Sequence, residues 1–363
     1  MTHRASSLVA ALSILLVLLA GACSDAATES AASASPGATT AGPMSPATPR
    51  PTPHSVHSDH VQRDSQGSME PTSFEQVDDH LRQVQAEQGT AAALAELERI
   101  TAAQPEVNRF CHAIAHDLGH RALDAVNGSA ARALQDRNDV CGGGYTHGVI
   151  ERALGEAAHP RTAMLTLCAP ANDGSCWHGI GHGLMFATGM DAQASTRLCD
   201  RAPTRLLASR CGEGVYMQVF SADLSAHHTG GDAEIAHDPE RARQLCRQTR
   251  SAYAANCWFY APVVWLTAHP DQFADGIAWC AGAGSSTAAQ VCAKGIGSRS
   301  VKYHPDDLTI GARTCAEAGL YQDSCLLGMA SYWSVHFKGS VPPADLCRHL
   351  AQGALRQRCE SVV

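Results

Sequence analysis

Aromatic side chains are scarce. They make up 5% of the 363 residues, too few to advertise a large pocket for an apolar ligand. Basic residues are outnumbered, 27 against 35 acidic ones, for a formal net charge of −8, and no basic tract or basic–aromatic interleaving occurs. Nucleic acid is therefore not an expected partner. Long apolar runs are missing as well. The clearest, residues 8–19, is about a dozen residues long, against the roughly 20 that a membrane-spanning helix requires. No C-x-x-C pair occurs, which argues against a zinc–thiolate site.

The short apolar run has another meaning. It follows a weakly basic start at His3 and Arg4 and ends in L-A-G-A-C at Cys23, the organisation of an export signal. Ala20, Gly21, Ala22 and Cys23 resemble the lipobox of bacterial lipoproteins. The resemblance implies cleavage before Cys23, a lipid on its sulfur, and anchoring to the outer face of the bacterial cell membrane. Residues 1–22 are then a signal peptide. Residues 23–72, rich in Ala, Ser, Thr and Pro, cannot bury enough apolar surface to fold and read as a disordered tether. His54, His57 and His60 lie in it and read as linker residues.

Cysteine is plentiful. Of fifteen, Cys23 is set aside for the lipid, and fourteen remain. An even number in an exported chain reads as disulfides, here seven. Six close pairs repeat: Cys168 and Cys176, Cys199 and Cys211, Cys246 and Cys257, Cys280 and Cys292, Cys315 and Cys325, Cys347 and Cys359. Cys111 and Cys141 each lack the partner that their repeat position predicts, so the economical solution pairs them with each other. The second cysteines fall mostly 33 to 35 residues apart, a period typical of helix-turn-helix solenoids. Each unit starts at a cysteine with an apolar inner helix. A second helix follows, and several of these open near a proline, as at His159-Pro160, His269-Pro270 and His304-Pro305. Those three histidines read as helix-end residues.

The expectation is an all-α protein: an α/α solenoid of about seven disulfide-linked helical-hairpin repeats over residues 105–363, capped by helices in residues 73–104. Period and cysteine placement resemble the cysteine-rich, disulfide-stapled relatives of the tetratricopeptide solenoids. About eleven extra residues lie between Cys211 and Cys257 and carry His227, His228 and His237. Such insertions map to surface loops.

Histidine carries the functional signal. Aligning the inner helices from Cys111, Cys141 and Cys176 puts His116, His147 and His182 in one column. Four residues earlier stand His112, Gly143 and His178; four later stand His120, Glu151 and Phe186. At 19 histidines in 363 residues, nine slots drawn at random hold fewer than one; these hold six. The equivalent slots of the four later units hold none, reading Glu213, Met217 and Ser221, then Phe259, Val263 and Thr267, then Lys294, Ser298 and Lys302, then Leu327, Ser331 and Val335. The histidines are a local decoration of a shared scaffold. Spacing by four stacks side chains on one helix face, so three neighbouring helices aim six imidazoles and Glu151 into one space. That density points to a metal.

His112 and His120 stand about 12 Å apart along an α-helix, so one ion cannot take both, and two ions are expected. One would use His112 with His178 and either His116 or His182; the other would use His120, His147 and Glu151. Glu213 and Met217 extend the columns and would complete the shell. Imidazole-rich ligation favours Zn²⁺ or Cu²⁺, with Fe²⁺ a further option, over Mg²⁺ or Ca²⁺. His116-Asp117-Leu118-Gly119-His120 resembles the H-E-x-x-H helix of zinc metallopeptidases, with Asp for Glu; the resemblance implies two zinc-binding histidines and an acidic general base. Asp117, Glu151 and Tyr145 are available as proton-transfer groups. Three functions stay open: a hydrolytic or redox metalloenzyme acting on a small molecule or peptide, a metal-handling lipoprotein without catalysis, and a scaffold that binds another protein.

Overall fold

A computed structural model describes residues 72–138, 140–169, 173–220, 238–337 and 341–363. Cys23, the tether and the inserted loop with His227, His228 and His237 lie outside the described residues. Among the described residues there are helices and no strands.

A hairpin of α1 (Phe74–Gln88) and α2 (Thr90–Ala103) leads the array. Ser73 opens it with a capping box: the Gln76 backbone N–H donates to Ser73 Oγ, and the Ser73 N–H donates to Gln76 Oε1. Inner and outer helices then alternate. The first pair is α3 (Asn108–Ala125) and α4 (Ala130–Ala133), the second α5 (Val140–Gly155) and α6 (Pro160–Leu167). The third is α7 (Gly174–Ala187) and α8 (Ala192–Cys199), the fourth α9 (Arg205–Val219) and α10 (Pro239–Gln248). The fifth inner helix is split into α11 (Ala254–Tyr260) and α12 (Pro262–Ala268) and is followed by α13 (Phe273–Ala281). The last pairs are α14 (Ser286–Tyr303) with α15 (Leu308–Glu317), and α16 (Gln322–Tyr332) with α17 (Asp345–His349); α18 (Ala354–Val362) ends the chain. This is the expected all-α stack of helical hairpins.

Short polar side chains start the helices: Asp173, Asp191, Thr204, Asp238, Ser285 and Asp307 each accept a backbone N–H of the first turn. His159 sits at the cap position ahead of Pro160 in α6, as a helix-end residue should. Inner helices are two-faced. In α7, Ile180 and Leu184 are fully buried in the apolar core, while His178 and His182 lie on another face. Each buried aliphatic side chain of that kind contributes about 1.5–3 kcal/mol.

All seven disulfides form as the spacing suggests, including Cys111–Cys141. Six close the turn between an outer helix and the helix that follows it; the seventh ties the start of α3 to the start of α5. Closing a short loop of this kind stabilises a fold by roughly 2–4 kcal/mol, mainly by restricting the unfolded chain.

Three features depart from the repeat pattern. The fifth inner helix is not continuous, because Pro262 has no N–H to donate and its ring crowds the preceding turn. In α5, Cys141, Gly142 and Gly143 have φ of 54°, 67° and 76°, so the first turn is left-handed. The Gly143 slot is therefore not the helical equivalent of His112 and His178. Finally, the array curls on itself: α14 touches α3, and the π-helical turn Trp333–Phe337 after α16 touches both α3 and α5.

Inner helices pack at backbone distance, and glycine permits it. A Cβ on Gly148 of α5 would run into the carbonyl oxygen and Cα of His116 on α3, while one on Gly119 of α3 would run into the carbonyl of Tyr145 on α5. The α7–α9 pair repeats this with Gly181 against Cys211 and Gly214 against His178. Gly148→Ala must therefore push α3 and α5 apart. Overpacking costs typically 1–3 kcal/mol, so the urea midpoint of this variant is expected to fall clearly; an unchanged midpoint would show that the two helices separate freely.

Candidate metal centre

The close-packed helices bring the histidine columns into contact. His116 is 1% exposed, with Nδ1 3.0 Å from Glu151 Oε2 and Nε2 3.2 Å from His112 Nε2. His120 Nε2 lies 3.5 Å from Glu151 Oε1, the other carboxylate oxygen. His147 stacks on His178 with ring centres 4.5 Å apart. His182, fully buried, lies 5.0 Å from the His178 ring and 5.1 Å from that of His116.

Three sets could each hold an ion, with all ligand atoms in a set within 4.8 Å of one another: His112, His116 and His147; His147, His178 and His182; His116, His120 and Glu151. His116 and His147 are shared. Two sets can be filled together only as His116–His120–Glu151 and His147–His178–His182. That partition differs from the expected one. His178 groups with His147 rather than His112, and His120 groups with His116 rather than His147. The reason lies in α5. Its left-handed first turn aims the Cys141 carbonyl at His112, which donates from Nδ1 at 2.6 Å, and His112 is held over the shared pair.

The donor set passes a chemical test for a metal. His178 Nε2 and His182 Nε2 are buried and have no hydrogen-bond partner, although a buried polar atom is ordinarily satisfied. Burial, reinforced by neighbouring imidazoles, holds the pKa of His112, His147 and His182 well below the ordinary histidine value. These three rings are neutral at physiological pH, the form that binds metal. Outer contacts orient them: His182 Nδ1 is 2.8 Å from Gln218 Oε1, and His147 Nε2 is 3.1 Å from Ser175 Oγ. Such contacts fix which ring nitrogen is free to ligate.

The remaining predicted residues spread more widely. Asp117 is buried beside His120, its Oδ1 4.0 Å from Nδ1. Glu213 Oε2 accepts from Arg210 Nη1 at 2.7 Å and lies 3.9 Å from His178 Nδ1. Burial works to raise its pKa, but His178 and Arg210 outweigh that and hold it below the usual carboxylate value. Glu213 is engaged beside the centre, outside the three sets. Met217 packs against the apolar core, and Phe186 is exposed. Tyr145 is fully buried and donates its hydroxyl to the Ala133 carbonyl at 2.6 Å; burial and Asp136 raise its pKa, so it is a packing residue and not a proton-transfer group.

His336 is the ligand-type residue that column counting missed. Its ring stacks on Tyr332 and lies 5.6 Å from that of His112. The column slot in this unit is Val335, but α16 passes into a π-helical turn. A π turn inserts a residue into the helical register, so His336 takes the place and Val335 is turned outward, 51% exposed. A Cβ on Gly142 would collide with the His336 ring. Here the left-handed turn and the returning helix fit together. Burial, with the nearby charges of Lys302 and Arg299, lowers the His336 pKa to about 3.

No known protein family, curated protein or solved structure matches the chain.

Four histidines with depressed pKa values predict a pH dependence in the metal-free protein. Unfolded, each takes up a proton near pH 6.5; folded, His112, His147, His182 and His336 do not. Stability is complete above the unfolded value and declines as pH falls below it. The urea midpoint of chelator-treated protein should drop between about pH 7.5 and pH 5. A flat profile would mean that these rings ionise normally in the fold.

Proposed function

We propose that this chain is an exported lipoprotein that binds two transition-metal ions between α3, α5 and α7 and uses them as a metal-dependent enzyme. The observation that carries this reading is the pair of ligand sets without a common residue, His116–His120–Glu151 and His147–His178–His182. Each supplies three protein ligands. Catalytic zinc sites characteristically have three and keep a further position for water or substrate, whereas structural sites are closed by four. Two histidines with one glutamate is a donor set of zinc hydrolases, and Zn²⁺ suits both sets; Cu²⁺ suits the all-histidine one. A divalent ion held here supplies Lewis acidity.

The chain's own residues take the other roles. Glu151 offers one carboxylate oxygen to each of His116 and His120 and belongs to the ligand shell. That leaves Asp117, next to His120, to accept and return a proton. His120 is 22% exposed, the most open side chain of the set, so substrate reaches the centre from that end. This assignment favours hydrolysis of a small ester or peptide. Non-catalytic metal handling is the second reading, favoured by the burial of the other five histidines. The lipid anchor rests on the motif at Cys23: the mature protein should begin at an acylated Cys23 by mass spectrometry, and an unmodified N-terminus would refute the anchor.

Zinc titration of the metal-free chain should saturate near two equivalents. His182→Ala and Glu151→Gln should each lose about one, and His112→Ala should keep both, because His112 stands outside the pair of sets that fill together. Complete loss of binding in His112→Ala would show instead that a single ion sits at His112–His116–His147. Asp117→Asn should keep both ions and lose at least about 100-fold in turnover on a panel of chromogenic esters and peptides; full activity would remove Asp117 from the mechanism.

A further inference from the structure

Three ligand sets outnumber the two that can fill together, and His112 is the residue left over. It is 5% exposed and belongs only to the set with His116 and His147. That set shares His116 with the His116–His120–Glu151 set and His147 with the His147–His178–His182 set. Individual atoms follow the same sharing. His112 Nε2 lies 3.2 Å from His116 Nε2 and 3.4 Å from His147 Nδ1, while His116 turns its other nitrogen to Glu151. His112 Nδ1 donates to the Cys141 carbonyl, so the neutral ring carries its lone pair on Nε2, toward both shared histidines.

The two end sets differ in access. In the His147–His178–His182 set the residues are 4%, 8% and 0% exposed, and no carboxylate is among the ligands. An ion has to be brought there. The other set has the most open side chain, His120, and two buried carboxylates, Glu151 within it and Asp117 beside it. Anionic groups at an opening draw cations to it. Positive charge stands on the other sides. Next to His178, Glu213 is held by Arg210, whose side chain is about half exposed. Toward α14, the charge of Arg299 acts on His336. A bare ion is too costly to move through a buried space, so a route inward must offer ligands at every step.

We propose that His112 is a transfer ligand, and that His112–His116–His147 is a transit site by which an ion captured at His116–His120–Glu151 reaches His147–His178–His182. The proposal rests on the two-ion reading above. Two ligand exchanges suffice. In the first, the ion keeps His116 while His112 and His147 replace His120 and Glu151. In the second, it keeps His147 while His178 and His182 replace His112 and His116. The ion holds a protein nitrogen throughout and its charge does not change. The buried set therefore fills through the open one, and His112 has no place in the shells that result.

The test uses full-length protein and an NMR-active isotope of Cd²⁺ as the probe, whose signal reports the ligands around it. Saturated wild type should show two signals. Loaded with one equivalent, it should show exchange between them that outpaces loss of Cd²⁺ to a chelator in solution. His112→Ala should keep both signals at saturation and slow that exchange by at least about tenfold. His112→Gln should do the same; its side-chain N–H can still donate to the Cys141 carbonyl, so this variant separates the lost ligand from the lost hydrogen bond. Exchange at the wild-type rate in these variants would overturn the proposal. So would wild-type exchange no faster than loss to the chelator, a measurement that needs no variant to fold. Glu151→Gln should fill the buried set more slowly than the wild type; filling at the wild-type rate would overturn the route and place entry at Glu213. Failure of the two-ion reading shows separately, as a single signal and one equivalent at saturation.

Discussion

Backbone-to-backbone contact between the inner helices is the constraint on which the site depends. Packed helices ordinarily lie 8–10 Å apart, with side chains filling the space between. Here glycines face carbonyl groups across the junctions that carry the histidines. Gly119 and Gly148 join α3 to α5, and Gly181 and Gly214 join α7 to α9. Gly179 and Gly183 of α7 lie against His147 and Glu151 of α5 in the same way. With nothing larger between the helices, imidazoles projecting from one edge of three neighbours must meet. His116 and His147, or His147 and His178, then stand at ligand distance without any helix bending toward an ion. The disulfides complement this by tying six outer helices to the helix that follows each, so that the register of the columns is held by covalent bonds.

A cluster of buried imidazoles works against the fold that holds it. His112, His147 and His182 are pushed toward neutrality by burial and by one another, and ring nitrogens of His178 and His182 are left without hydrogen bonds. An apolar core at these positions would be the more stable choice. The arrangement makes sense when something else occupies the ring nitrogens. Metal that binds the native state and not the unfolded one adds stability in proportion to the logarithm of its concentration over its dissociation constant. In that frame the ligand-type side chains already stand together, so little ordering would be left to offset affinity for an ion.

Much of this was legible in the sequence, and the limits have physical causes. Period and cysteine spacing are local signals, and they carried the helical repeats and all seven disulfides. The three-column alignment found six histidines and Glu151 because helical periodicity is the same in each repeat. What failed was register. Gly143 sits in a left-handed turn that no periodic alignment anticipates, although three glycines in a row at 142–144 hinted at it. His336 is displaced one place by a π turn, for which the sequence W-S-V-H-F offers no marker. The grouping of histidines into sets also escaped, since it depends on the Cys141 carbonyl capturing His112.

Curvature is the other quantity that a repeat alignment does not contain. In an extended solenoid each unit touches only its neighbours, and stability is a sum of local terms. In this chain the sixth inner helix returns against the first, and the turn after the seventh reaches the first two. The histidine face, read as a feature of three repeats, becomes a space walled by helices more than 150 residues apart in sequence, from His116 to His336 and Arg299. Closure changes the chemistry: it removes water from the imidazoles, brings fixed cations to bear on His336, and makes the geometry of the centre depend on repeats that contribute no ligand to it. That dependence explains why a site needing three helices is built into an array of seven. The later repeats supply the wall and the charge that the first three, being glycine and histidine on their inner edge, do not.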